Sequence, residues 1–279
     1  MSIRFEKIPG APRIAIDCAG TGPAVILLHG VGGNRGNWAD QLAALSRDFR
    51  SIAWDARGYG DSDDYAGPWR FADVAADLVR VLDHFDIGAA HVIGLSMGGM
   101  IAQEFWKAFP DRVRSLVLCD TVSGPDEGLS PMERVQFLAA RKAPLLAGQT
   151  PKDIAPKIAA TLAAPNAAPA TLQRLVDSMA QLRSGNYIKA LDAVAAWDGI
   201  GDLSQIRVPT GVIVGAEDRL TTPSVARKLA AGIPGASLVV VPGAGHLCNI
   251  ENPEFFNRAV LEFLRSAETG RRSHVDRPQ

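Results

Sequence analysis

The sequence predicts an α/β protein: a mostly parallel central sheet flanked by helices, with a helical segment inserted late in the sheet. Three observations carry that expectation. Up to Asp120, short apolar runs alternate with amphipathic helical stretches, as in βαβ units. From Val122 to Trp197 the chain turns rich in Ala, Leu and Pro, with helical spacing and no strand-like run. Beyond Trp197 strands return. The expected organisation is a core of residues 1–121 and 198–268, a helical cap at 122–197, and a polar tail at 269–279.

Each element has its own signal. RIAIDC alternates as a half-buried strand does, while AVILLHG (Ala24 to Gly30) and FRSIAWD (Phe49 to Asp55) are apolar runs ended by turn residues, suited to buried parallel strands. Between these two runs, NWADQLAALS has helical spacing. FADVAADLVRVLDHF sets Phe71, Val74, Leu78, Val81, Leu82 and Phe85 on one face, which predicts a helix. A strand (AAHVIG), a helix (MGGMIAQEFWKAF) and a strand (VRSLVLCD) follow. The insert reads as four helices broken by Pro and Gly: PMERVQFLAARKAPLLAG, PKDIAPKIAATL, ATLQRLVDSMAQL and NYIKALDAVAAW. TGVIVG (Thr210 to Gly215) is again a strand, and Thr222 and Pro223 form the N-cap and first turn of the next helix. SLVVV is a last strand, and Asn252 and Pro253 open a last helix. The end, AETGRRSHVDRPQ, is polar and expected to fray.

Composition narrows the function classes. The 279 residues are 47% hydrophobic and 21% charged, with a formal net charge of −1, so no basic face for nucleic acid is expected. No apolar run reaches membrane-spanning length, and the start, MSIRFEKIPG, lacks the apolar stretch of a secretory signal. Cys18, Cys119 and Cys248 are too few and too scattered for a disulfide framework or a zinc site. The expectation is a cytoplasmic monomer or homodimer without metal or cofactor, acting on a small molecule, with no nucleic-acid or membrane partner.

The chemistry centres on HVIGLSMGGMIAQ, His91 to Gln103. A G-x-S-x-G string is weak alone, but here a strand precedes it and a helix follows. In such an elbow the serine is held in a strained conformation, and Gly94 and Gly98 remove side chains that would collide across the turn. The competing reading is a tight turn with an incidental serine. Ser96 needs a base to act as a nucleophile. His84 falls on a helix, His91 begins a strand, His29 precedes the serine in the HGVGG turn, and His274 is in the tail. His246, in the glycine-rich loop VPGAGHLCNIENP, follows Ser96 and occupies a loop of the folded part. A carboxylate must orient the imidazole. Asp218, just beyond the strand in VIVGAEDRL, is the first candidate, with Glu217 next to it and Asp120 at an earlier strand end as alternatives. Backbone N–H groups of Met97 and of Val31, with Gly32 as the alternative to Val31, are the expected oxyanion donors.

LLHGVGGN, WDARGYGDS, GLSMGGMIAQ, VGAEDRLT and GAGHLCNIENPEFF together resemble the α/β-hydrolase superfamily over most of the chain. Within it, GLSMGGMIAQ and LVLCDT look most like the 3-oxoadipate enol-lactone hydrolases and related small-ester hydrolases. The resemblance implies an α/β-hydrolase fold, a triad of Ser96, Asp218 and His246, and an oxyanion hole at Val31 and Met97. WDARGYGDS resembles a recurring turn of that family, read here as structural and held by Asp55 and Arg57. The expected activity is hydrolysis of a small ester or lactone through an acyl-enzyme. The alternatives on the same fold are carbon–carbon bond hydrolysis of a diketone-like substrate, cofactor-free haloperoxidase or perhydrolase chemistry, and a non-catalytic ligand receptor. Trp197, Phe137 and Leu145 are the expected substrate-binding residues, among wider lining candidates Val135, Leu138, Leu146, Leu175, Met179 and Leu182. An anionic substrate would need an arginine, and Arg134, Arg141, Arg174 and Arg183 are the ones the insert offers.

Overall fold

The computed structural model describes residues 2–124 and 130–270, the side chains of Pro131 and Arg134 excepted. Among these residues the strands are β1 (Arg4–Ile8), β2 (Ile14–Ala19), β3 (Ala24–Leu28), β4 (Arg50–Trp54), β5 (Ala90–Leu95), β6 (Val113–Cys119), β7 (Thr210–Gly215) and β8 (Ser237–Val241). They form one sheet in the order β1-β2-β4-β3-β5-β6-β7-β8. The β1–β2 and β2–β4 pairs are antiparallel, and all later pairs are parallel. The parallel part follows from the helices that return the chain: α1 (Ala39–Leu45), α2 (Phe71–His84) and α3 (Met97–Ala108) connect successive strands.

Strand pleating explains why the central strands read as unbroken apolar runs. Ile26, Val92, Leu116 and Val214 face one apolar layer, with Leu78 of α2 and Ile101 of α3. Their chain neighbours Val25, Ile93, Val117 and Ile213 face the other, with Leu42 of α1. Both faces are covered, so both parities must be apolar.

Between β6 and β7 lie α4 (Pro131–Leu146), α5 (Pro151–Leu162), α6 (Pro169–Ala180) and α7 (Ser184–Ala195). α4 packs on α7 and α5 on α6. Pro131, Pro151 and Pro169 open their helices, where a missing N–H costs nothing. Pro144 and Pro156, by contrast, lie inside α4 and α5 and do not separate helices. After β7 come α8 (Pro223–Gly232), α9 (Cys248–Glu251) and α10 (Pro253–Thr269).

Three features depart from the sequence expectation. β1 has no counterpart in it. β2, expected to be half-buried, is buried at every position except Asp17, because β1 and β4 flank it and Asp17 pairs with Arg35 at 3.1 Å. The expected frayed end begins in helix: α10 continues through Ala267, Glu268 and Thr269 before Gly270 stops it in the left-handed conformation. Residues 271–279 lie outside the described residues.

Candidate active site

Val31, Ser96, Asp120, Asp218 and His246 each follow the carboxyl end of a parallel strand, so the topology brings them to one edge of the sheet. Ser96 separates β5 from α3 with φ 55° and ψ −117°. A side chain rarely adopts that backbone, and the surroundings must enforce it. Added Cβ atoms show how. At Gly94 one would stand 2.1 Å from the Gly98 carbonyl oxygen, and at Gly98 one would stand 2.1 Å from that of Leu28. The Ser96 N–H donates to Cys119 O at 2.9 Å, and Thr121 Oγ1 donates to Ser96 O at 2.8 Å.

Ser96 Oγ lies 2.9 Å from His246 Nε2, and His246 Nδ1 lies 2.9 Å from Asp218 Oδ2. The carboxylate is itself fixed. Its Oδ1 accepts from the Leu220 and Thr221 N–H groups at 2.7 and 3.0 Å, and its Oδ2 accepts from Thr221 Oγ1 at 2.6 Å. Burial works against the Asp218 charge, but His246, Thr221 and Leu220 more than offset it and hold the pKa down to about 2. Burial also works against the His246 cation, yet the Asp218 carboxylate outweighs it and raises the imidazole above its ordinary value. A carboxylate and an imidazole that stabilise each other's charged forms can accept a proton from a bonded hydroxyl.

The alternatives sit elsewhere. Glu217 donates its backbone N–H to Ala244 O, and the carboxylate at His246 Nδ1 is that of Asp218. Asp120 accepts from the Gly215 N–H at 2.8 Å and the Cys248 N–H at 3.3 Å, joining β7 to the histidine loop. Burial, then the charge of Asp218, raises the Asp120 pKa to about 8. His84 meets Glu6, and His91 lies between Ser115 and Glu268, both away from Ser96. His274 lies outside the described residues.

Met97 is the first residue of α3, so its N–H has no intrahelical acceptor. At Val31 the peptide is oriented from behind. Gly30 O accepts from the Gly33 N–H at 3.0 Å and contacts His29 Nδ1 at 2.8 Å, while His29 Nε2 accepts from the Ala56 N–H at 3.1 Å. That last bond leaves the ring proton on Nδ1. The planar trans peptide then turns the Val31 N–H to the side opposite Gly30 O. Gly32, the alternative donor, also lines the cavity, beneath Met179. The WDARGYGDS turn is structural in its contacts: Asp55 accepts from the Arg35 and Asp61 N–H groups, and Arg57 grips Asp77 at 2.7 and 2.9 Å.

Ser96 and His246 open into a cavity of about 160 Å³ roofed by the inserted helices. Phe137, Leu138, Leu175, Met179 and Trp197 line it, and Trp197 Nε1 donates to Glu104 at 2.8 Å. Four apolar residues and two arginines of the expected lining lie elsewhere. Leu145 is buried in the apolar cluster but is not part of the wall, because it lies one helical turn past Arg141 on α4. Leu182 is likewise buried outside the wall, and Val135 and Leu146 are 63% and 72% exposed. Arg174 and Arg183 are used in docking the insert on the core, through Asp40 at 2.5 Å and Asp64 at 3.1 Å. Arg141 lines the cavity, and the side chain of Arg134 lies outside the described residues.

Sequence reasoning missed two supporting residues. Thr221 completes an Asp-x-x-Thr turn around the carboxylate, a local pattern legible in EDRLTT. Glu251 accepts from the N–H groups of Gly245 at 3.0 Å, Leu247 at 3.3 Å and, across the chain, Ala164 at 2.7 Å. Nothing local announces the last of these. Among the described residues no cluster of His, Cys, Asp and Glu is arranged to hold a metal ion.

Comparison with known proteins matches residues 23–253 to the alpha/beta hydrolase fold family, and the chain belongs to that family. It is similar to 3-oxoadipate enol-lactonase 2 of Acinetobacter baylyi, 31% identical over 268 residues, which cover 94% of this chain and 97% of that protein. It is also similar to the 2-hydroxy-6-oxononadienedioate/2-hydroxy-6-oxononatrienedioate hydrolase of Burkholderia vietnamiensis, 33% identical over 266 residues and 91% of each protein. Among solved structures, a thermophilic esterase from Thermogutta terrifontis superposes with a TM-score of 0.83 at 29% identity, covering 96% of this chain and 99% of that one.

Proposed function

We propose that this hydrolase cleaves a small carboxylic ester or lactone through an acyl-enzyme on Ser96. The observation that carries the reading is the unbroken hydrogen-bonded chain from Ser96 Oγ through His246 to Asp218. Ser96 Oγ attacks the carbonyl carbon while His246 Nε2 takes its proton. The oxyanion receives the N–H groups of Val31 and Met97. The carbon–oxygen bond to the leaving alcohol then breaks, and His246 returns the proton to that oxygen. In a lactone the new hydroxyl stays tethered to the acyl chain. Water next attacks the acyl carbon, losing a proton to His246, and the bond to Oγ breaks as Ser96 regains its proton. One water is added across one ester bond. Asp218 keeps the proton-bearing Nδ1 toward itself throughout.

In this reading residues 1–121 and 198–268 form the catalytic core, and 122–197 is a cap that excludes water and selects the substrate. The similarity to an enol-lactonase and to an esterase supports the substrate class. A panel of p-nitrophenyl esters, aryl acetates and lactones, with Ser96→Ala as the blank, tests it. Ser96-dependent release of acid from esters or lactones is the expected result. The Burkholderia vietnamiensis relative favours a second reading, carbon–carbon bond hydrolysis of a diketone-like substrate. Turnover of such a diketone with none of any ester or lactone would move the assignment there.

A further inference from the structure

Arg141 is an anomaly among the cations of the insert. It lies on α4, is only 9% exposed, and lines the cavity that holds Ser96 and His246. Its guanidinium stacks on the Phe137 ring, 3.3 Å from the centroid, and Nη1 reaches Phe137 O at a long 3.4 Å. The Tyr187 side chain of α7 is the polar neighbour whose interaction with it favours the cation. No carboxylate among the described residues pairs with it. Arg174 and Arg183 each have one.

A buried cation without a counterion is costly, and an arriving anion offsets that desolvation. Burial lowers the Arg141 pKa to about 10, which still leaves it charged at neutral pH. A guanidinium carries five N–H donors, and the single long bond to Phe137 O leaves most of the fork unused. The wall around it is otherwise largely apolar: Leu138, Leu191, Val194 and Trp197. Its charge also reaches the catalytic centre, where it opposes protonation of His246.

We propose that the substrate bears a carboxylate, which docks on Arg141 beside the Tyr187 hydroxyl while the scissile carbonyl lies at Ser96. This rests on the hydrolase reading above and adds the substrate's charge to it. The planar fork suits two parallel hydrogen bonds to one carboxylate. The competing account is that Arg141 only braces α4 through Phe137 and Tyr187. That account predicts no dependence on ligand charge.

Matched pairs separate the two. The p-nitrophenyl monoesters of succinate, glutarate and adipate differ from the butyrate, pentanoate and hexanoate esters by a carboxylate in place of the terminal methyl. With spontaneous rates subtracted, the anion-to-neutral ratio of kcat/KM should exceed one at the best-fitting length. Arg141→Met should lower that ratio by about 10- to 100-fold, and Arg141→Lys should keep part of it. A ratio that never favours the anion, or one unmoved by Arg141→Met, overturns the inference while Ser96-dependent hydrolysis still stands. Calorimetric titration of Ser96→Ala with the monomethyl esters of the same diacids, and with methyl hexanoate, reads the preference without turnover. Tighter binding of the anion that Arg141→Met abolishes supports the docking site even if no ester is hydrolysed. Equal affinities overturn it whatever the turnover.

Discussion

The strand-end turns and the helical roof meet at one cavity, yet they are built on different principles. Ser96, Asp218 and His246 sit in short turns a few residues beyond β5, β7 and β8. Each turn is fixed mostly by its own neighbours: Gly94 and Gly98 around the serine, Thr221 and Leu220 around the aspartate, Glu251 around the histidine loop. In the roof, local contacts such as the Ser130–Glu133 and Thr150–Asp153 capping boxes fix single helices, while its place over the site is set by distant partners. Arg174 and Arg183 tie it to Asp40 and Asp64, more than 100 positions away, and the end of α5 is held by the His246 N–H on Leu162 O at 2.8 Å. Turn geometry thus places the Ser96, His246 and Asp218 side chains, and distant packing places the roof above them. The two are joined at Leu162–Ala164, where the roof touches the histidine loop directly.

Substitutions in the turns should cost far more activity than those in the roof. Ser96→Ala should lower kcat by about 10⁴- to 10⁶-fold. Its circular dichroism should match the wild type, since the hydroxyl faces the cavity. An alanine variant with wild-type turnover would end the serine mechanism. Asp218→Asn should cost about 10³- to 10⁴-fold, because the amide favours the wrong imidazole tautomer. It should also move the pH profile in a defined direction. The base must be neutral, and Asp218 raises the His246 pKa above 6.5, so kcat/KM falls as pH drops through that raised value. With the carboxylate gone, burial dominates, and the acid limb should shift to lower pH. A limb that stays in place in Asp218→Asn would return Asp120 to consideration as the acid.

Glu251→Ala tests the junction. Gly245, Leu247 and Ala164 lose their acceptor together. Stability by urea denaturation should fall by about 1–3 kcal/mol, and kcat by about 10- to 100-fold as the imidazole loses its placement. A loss of stability with kcat unchanged would mean that the roof and the histidine loop are independent. The smallest effect is expected in the roof itself. Met179→Ala opens space above Gly32 and should raise kcat/KM for octanoate esters relative to acetate esters by less than about tenfold. A large loss on both esters would show that Met179 supports the oxyanion turn rather than the acyl pocket.

The order of strands and helices was legible because each element carries its own period: apolar runs for strands buried on both faces, a stripe of Val74, Leu78 and Val81 for α2. Ser96, Asp218 and His246 were legible because strain, caps and glycine turns are local, and local geometry leaves a mark on neighbouring residues. β1 was not, since in RFEKI only Ile8 is buried and there is no run to read. The cavity wall was not either. Phe137, Leu138 and Leu145 share one apolar stripe, and only the crossing of α4 over the sheet edge decides that the first two face the cavity and Leu145 does not. Four arginines looked alike in sequence. Which of them meets a carboxylate depends on residues more than a hundred positions away, and side-chain charge by itself carries no record of so distant a partner.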